Sequence, residues 1–152
     1  MNPVTNTRVR MTLGALLFAS SALLSACLRS TEPQASLLQL NGVWNYTGVQ
    51  TAPGHETLTG KLTISRESGM SFQGTLFLVS VDGQGIQRPP INGVVSGSES
   101  GVDIIDFDAN LEATPRRHVG RIVADTIAGN WIGASPDGTN SSGTFRVERE
   151  TR

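Results

Sequence analysis

Few side chains in this 152-residue chain are of kinds that do chemistry, and their spacing narrows the choice further. There is one cysteine, Cys27, and there are two histidines, His55 and His118. Zinc takes four N or S ligands, or three plus water, so two histidines would need acidic help from loops. No metal is expected. Asp103, Asp106 and Asp108 form a carboxylate cluster. Along a strand Asp106 and Asp108 share a face and Asp103 lies opposite. With Asp106 across from Arg121 and Arg117 near Asp108, they make cross-strand ion pairs on a solvated wall. Calcium would require more oxygen ligands than one strand presents. Asp137-Gly138-Thr139-Asn140 has turn composition and lacks the alternate oxygen spacing of a calcium loop. Gly97-Ser98-Glu99-Ser100-Gly101 carries glutamate where a nucleophile elbow needs serine. There is no phosphate-binding glycine loop and no dinucleotide fingerprint. The chain is therefore expected to be non-catalytic and to need no cofactor.

Cys27 has a different setting. Arg8 and Arg10 precede a mostly apolar run, residues 11–23, which ends in Leu24-Ser25-Ala26-Cys27. The run falls short of the ~20 apolar residues that span a bilayer. Basic residues before it and small residues after it mark a signal peptide. The motif resembles the lipobox of bacterial lipoproteins. That resemblance implies export, cleavage before Cys27, and a lipid on its thiol and amine. Several acyl chains anchor stably where one would be marginal. Leu28 in place of aspartate implies, by resemblance to lipoprotein sorting, the outer membrane of a double-membraned cell. With Cys27 given to lipid, the mature part has no disulfide and must rely on a packed core.

The expected organisation is a signal peptide over 1–26, a lipidated cysteine and flexible tether over 27–38, and one domain over 39–152. Lys61 is the only lysine, and the net charge is −1. No basic stripe is present for nucleic-acid binding.

The elements that must position any site are strands. Leu58-Thr59-Gly60-Lys61-Leu62-Thr63-Ile64 alternates apolar and polar residues. A unit of glycine, any residue and a large apolar residue recurs: Gly42-Val43-Trp44, Gly60-Lys61-Leu62, Gly74-Thr75-Leu76, Gly93-Val94-Val95, Gly120-Arg121-Ile122, Gly129-Asn130-Trp131 and Gly143-Thr144-Phe145. Ile105-Asp106-Phe107 supplies one further strand without it. Glycines repeated on one face allow strands to coil into a barrel. The expected fold is an all-β, eight-stranded antiparallel up-and-down β-barrel. Glu67-Ser68-Gly69 is expected to be a hairpin loop pairing Leu62 with Gly74 and Leu76 with Gly60. A turn at Asp125-Thr126 would pair Gly120 with Trp131 and Ile122 with Gly129. A turn at Ala113-Thr114 would pair Phe107 with Gly120. Small against large is how a narrow barrel fills.

Asn41-Gly42-Val43-Trp44 resembles the Gly-x-Trp opening of lipocalins and avidin-like barrels, the calycin-like folds. Asp125-Thr126-Ile127 is similar to the lipocalin turn between strands six and seven. Arg149 stands where lipocalins place a basic residue over that tryptophan. The resemblance implies a barrel of this kind. The chain departs from lipocalins in being shorter, with no C-terminal helix and no disulfide.

In such a barrel odd-numbered and even-numbered connections lie at opposite ends. The even ones are expected to be short, and the odd ones mostly long: 50–56, 82–90 and 135–142. Strand one starts at the short-loop end, so the lipid tether would leave from there. Tyr46 and His118 point inward by parity. His55, Arg88, Arg116, Arg117, Asp137 and Asn140 lie on or beside the long loops. Trp44 and Trp131 are expected to pack the core. Tyr46, His55, Arg88, Arg116, His118 and Asp137 form the candidate mouth. The expected function is a membrane-anchored envelope lipoprotein holding a small apolar or mixed ligand there. The alternative is a protein-interaction module that uses its loop tips, such as a lysozyme or protease inhibitor or an envelope assembly component.

Overall fold

Alternation sets the strands, and glycine lets them bend into a closed ring. The computed structural model describes residues 39–101, 103–112, 114–134 and 138–151. The lipobox with Cys27, the tether up to residue 38, and Asp137 lie outside the described residues. Eight strands follow in order: β1 (Gly42–Ala52), β2 (Glu56–Ser68), β3 (Ser71–Asp82), β4 (Ile91–Ser100), β5 (Ile104–Leu111), β6 (Thr114–Val123), β7 (Thr126–Ala134) and β8 (Asn140–Arg149). Each pairs antiparallel with its neighbours in sequence, and β8 closes on β1. The fold is the expected up-and-down barrel, and β5 is the strand without the glycine unit.

The inward residues form one core that includes Trp44, Tyr46, Leu62, Leu76, Phe107, Trp131 and Phe145. Both tryptophans are buried, as expected. Glycine pinches the sheet. A Cβ on Gly60 would lie 1.8 Å from the Phe77 carbonyl oxygen, and one on Gly129 would lie 2.0 Å from that of Val119. The inward glycines therefore bring neighbouring strands together and do not hollow out the interior.

The three expected hairpin registers are each displaced by one pleat. Leu62 faces Leu76, Ile64 faces Gly74, and Gly60 faces Leu78, with an irregularity between Ile64 and Arg66. Gly120 faces Gly129, Ile122 faces Ile127, and His118 faces Trp131. Phe107 faces His118, and Ile105 faces Gly120. The cause is turn chemistry. Glu112 and Ala124 adopt positive φ, 42° and 52°, in tight turns where glycine is the usual occupant. Gly69 does the same between β2 and β3, at φ 60°. A slip of two residues keeps every side chain on its face. Small still meets large, with other partners: Gly143 beside Trp131, and Gly129 beside Phe145.

The loop asymmetry is weaker than expected. β5 ends at Leu111 and β6 begins at Thr114, and β1 and β2 join through 53–55 only, because these strands run further than their sequence suggests. The long odd connections are 83–90 and 135–139. Asp82 organises the first of them. Its carboxylate accepts from the backbone N–H of Gln84 and of Ile86, both at 2.9 Å.

Candidate ligand site at the barrel mouth

Register places the polar interior in rows. One row runs from His118 on β6 through Trp131, Gly143 and Gln50 to Glu56 on β2. The next row toward the odd-numbered loops runs from Arg116 through Gly133 to Ser141. Each inward position is two residues from the next along its strand, so the sheet delivers these groups to one end of the bore.

Arg116 is only 8% exposed, and its guanidinium carbon sits 4.4 Å from the Trp131 ring centroid. Its Nε and Nη1 have no hydrogen-bond partner. Neither do Trp131 Nε1, Ser141 Oγ and His118 Nδ1. Buried polar groups are nearly always hydrogen-bonded, and each exception asks for an explanation. All five orphaned atoms belong to this end of β6, β7 and β8.

Below them lies an aromatic floor. The Tyr46 hydroxyl is 3.2 Å from His118 Nε2. The His118 ring stacks on Phe107 at 4.4 Å and meets Phe145 edge-on at 5.0 Å. Burial holds the imidazole neutral, pushing its pKa from 6.5 down to about 3; the backbone of Arg116 partly opposes this, and the Arg116 charge adds to it. The neutral ring shares one hydrogen bond with the Tyr46 hydroxyl through Nε2. Burial also pushes the Tyr46 phenol up, against the pull of Arg116. Arg116 itself is lowered by burial, and Tyr46 and Glu56 offset this in part.

The remaining candidates fall on the rim. Arg88, in the 83–90 connection, pairs with Glu56 at 2.9 Å. His55 is exposed in the connection between β1 and β2. Asp137 belongs to a part of the 135–139 connection outside the described residues. An open cavity of about 810 Å³ starts at this rim and runs onto the outer wall: Arg116, Gly133 and Ser141 share it with Asp108, Arg117 and Ile132. Trp131, Ser141, Gln50 and Glu56 were not among the sequence candidates. Parity reaches them: Gln50 is on the face of Trp44 and Tyr46, and Ser141 is on the face of Gly143.

The acidic strand behaves as an outer wall, with different partners from those expected. Asp106 pairs with Arg117 at 2.6 Å, and Arg121 pairs with Asp103 at 3.2 Å. Register sets Val119, not Arg121, across from Asp106. Among the described residues no group of three or more His, Cys, Asp or Glu side chains is placed to hold a metal.

No protein-family model and no curated protein matches the chain. Several solved barrels do match in fold. The structure of EF1p2_mFAP2b bound to DFHBI superposes with a TM-score of 0.60 at 14% identity, over 73% of this chain and 94% of that one. The redesigned β-barrel b11L5F_LGL gives 0.55 at 17% identity, over 74% and 92%. A Bacteroides ovatus protein of unknown function gives 0.50 at 12% identity, over 74% of this chain and 42% of that one. At these identities the likeness is one of fold alone: a small closed β-barrel.

The opposite end is sealed. Leu40 is fully buried, and its carbonyl accepts from Trp44 Nε1 at 2.9 Å. Glu67 Oε1 accepts from the backbone N–H of Leu40 and, at 3.1 Å, of Asn41. The Arg149 guanidinium lies 4.2 Å from the Trp44 centroid, as the lipocalin resemblance implies. It donates to the carbonyls of Asn41 and Gln39 and to Asp125.

Proposed function

We propose that this protein is a non-catalytic, lipid-anchored envelope lipoprotein that binds a small ligand, apolar or mixed in character, at the odd-loop mouth of its barrel. One observation carries the binding part: five buried polar atoms without partners gather at one end of the bore, while the other end is closed by a hydrogen-bonded plug. The known small-molecule binding of barrels with this fold supports the same reading. The anchoring part rests on Arg8, Arg10 and the Leu24-Ser25-Ala26-Cys27 motif. Gln39 enters the barrel at the sealed end, which leaves the mouth facing away from the point where the chain arrives.

Two measurements test the proposal. Cells expressing the full chain are labelled with an alkyne fatty acid, and the label is expected on wild type and absent from Cys27→Ala. Equal labelling ends the lipoprotein reading. The soluble domain is then titrated with N-phenyl-1-naphthylamine, a neutral apolar reporter. Saturable one-to-one uptake is expected, lost in Ser141→Trp and kept in the outer-wall double variant Asp103→Ala/Asp106→Ala. Uptake lost only in the wall variant moves the site outside the barrel. No uptake at all favours contact through the loop tips.

A further inference from the structure

We infer that the mouth is built for an organic anion, a carboxylate on a flat or apolar body, with Arg116 as its counter-ion. The inference rests on the ligand-binding reading above and adds the charge of the ligand to it.

Arg116 carries a charge largely withdrawn from water. A buried cation is costly unless it is paired and hydrogen-bonded. Arg116 is 8% exposed, and among the described residues it forms no ion pair. The nearest acidic group by its electrostatic effect is Glu56, and that carboxylate is already held by Arg88 at 2.9 Å. Tyr46 stays a neutral phenol, and His118 is a neutral imidazole. The cavity wall also holds Asp108 and Arg117, of opposite charge, so Arg116 leaves the site with a net positive charge.

The hydrogen bonds point the same way. A guanidinium offers a carboxylate parallel donors along its side or its tip. Nε belongs to the side edge and Nη1 to the tip, and both lack partners. Trp131 Nε1 is a donor only, and Ser141 Oγ either donates or accepts. Both are also without partners in neighbouring register rows. The orphaned set is rich in donors, so the complementary ligand end is rich in acceptors. Beside Arg116 and Ser141 the cavity wall also carries Pro115, Ile132 and Ala134, which suits an apolar body. The cavity of about 810 Å³ at the rim gives room for such a molecule to approach.

The test compares acids with their neutral amides: 2-naphthoate against 2-naphthamide, and decanoate against decanamide, by calorimetric titration at pH 7. Each acid is expected to bind at least tenfold more tightly than its amide. In Arg116→Met that preference should collapse to about one while amide binding persists. Arg116→Lys keeps the charge and should retain part of the preference. Circular dichroism confirms that each variant is folded. Amides binding as well as acids would overturn the anion inference and leave the mouth reading standing. A preference that survives in Arg116→Met would do the same, by placing the anion elsewhere. If neither acids nor amides bind while N-phenyl-1-naphthylamine does, the inference again fails alone. If that reporter also fails, the ligand-binding reading falls with it.

Discussion

The two ends of the bore carry the same pair of side chains and treat them oppositely. At one end Arg149 lies over Trp44 at 4.2 Å; at the other Arg116 lies over Trp131 at 4.4 Å. Both tryptophans belong to a Gly-x-Trp unit. At the first end every group named has a partner: Arg149 donates to Asp125 at 3.1 Å and to Asn41 at 2.9 Å, and Trp44 donates to Leu40. At the second, Arg116 Nε, Arg116 Nη1 and Trp131 Nε1 have none. The difference lies in what sits on top. The chain before β1 folds over Trp44 and supplies carbonyls, whereas no described segment does this for Trp131. An arginine on a tryptophan is thus a structural clasp when backbone completes it, and a binding group when backbone does not.

The largest expected effect sharpens the contrast through pH. The sealed end has no histidine, and the mouth has His118. Its folded pKa, about 3, lies below the ordinary 6.5. The unfolded chain takes up a proton that the folded one refuses, so stability is full above pH 6.5 and falls as pH drops toward 3. The slope approaches about 1.4 kcal/mol per pH unit. Asp106, also lowered in the fold by its bond to Arg117, starts from 3.8, so its loss overlaps only the acid end of that window and continues below it. Chemical denaturation between pH 7 and 4.5 should show the loss, and His118→Phe should flatten it. An equal slope in the variant would place the acid sensitivity elsewhere.

The next effect is the direct comparison of the arginines. Arg149→Met removes charge-assisted bonds and a cation–π contact and should cost about 2 kcal/mol. Arg116→Met removes a buried charge with orphaned donors and should be neutral, or stabilising by about 1 kcal/mol, without ligand. Urea midpoints at pH 7 decide it. Equal losses at the two sites would mean that Arg116 has a partner the geometry does not reveal.

The smallest effect uses the tryptophans. Trp44→Phe deletes a satisfied donor and leaves the Leu40 carbonyl unpaired, at about 1–2 kcal/mol beyond the loss of ring volume. Trp131→Phe deletes an orphaned donor and should cost only the volume. The gap between the two melting temperatures measures the hydrogen bond, and no gap would make the two ends alike.

Much of this was legible in the chain, and the reason is parity. A strand sends alternate residues to opposite faces, so Tyr46, His118 and the glycines could be assigned inward without knowing any register. The pairings were not legible in the same way. Glu112 and Ala124 take left-handed turns without glycine, and nothing local advertises that. The partners of Asp106 and Arg121 were misassigned for the same reason. Gln50 and Ser141 share the inward parity, yet they drew no notice because neither residue type signals chemistry alone.

The sequence by itself determined the alternation, the strand count and the closed all-β barrel, because local periodicity and repeated glycine dictate them without reference to distant residues. It also carries the lipobox-like motif, a linear signal that needs no fold. Only the tertiary structure decided which end of the bore is plugged and which is left polar. That outcome depends on Leu40 and Glu67, 27 residues apart, meeting over Trp44, and on Arg116 and Trp131 meeting with no such cover. Whether a hydrogen-bonding group is satisfied is a property of what surrounds it in space, and adjacency along the chain does not encode it.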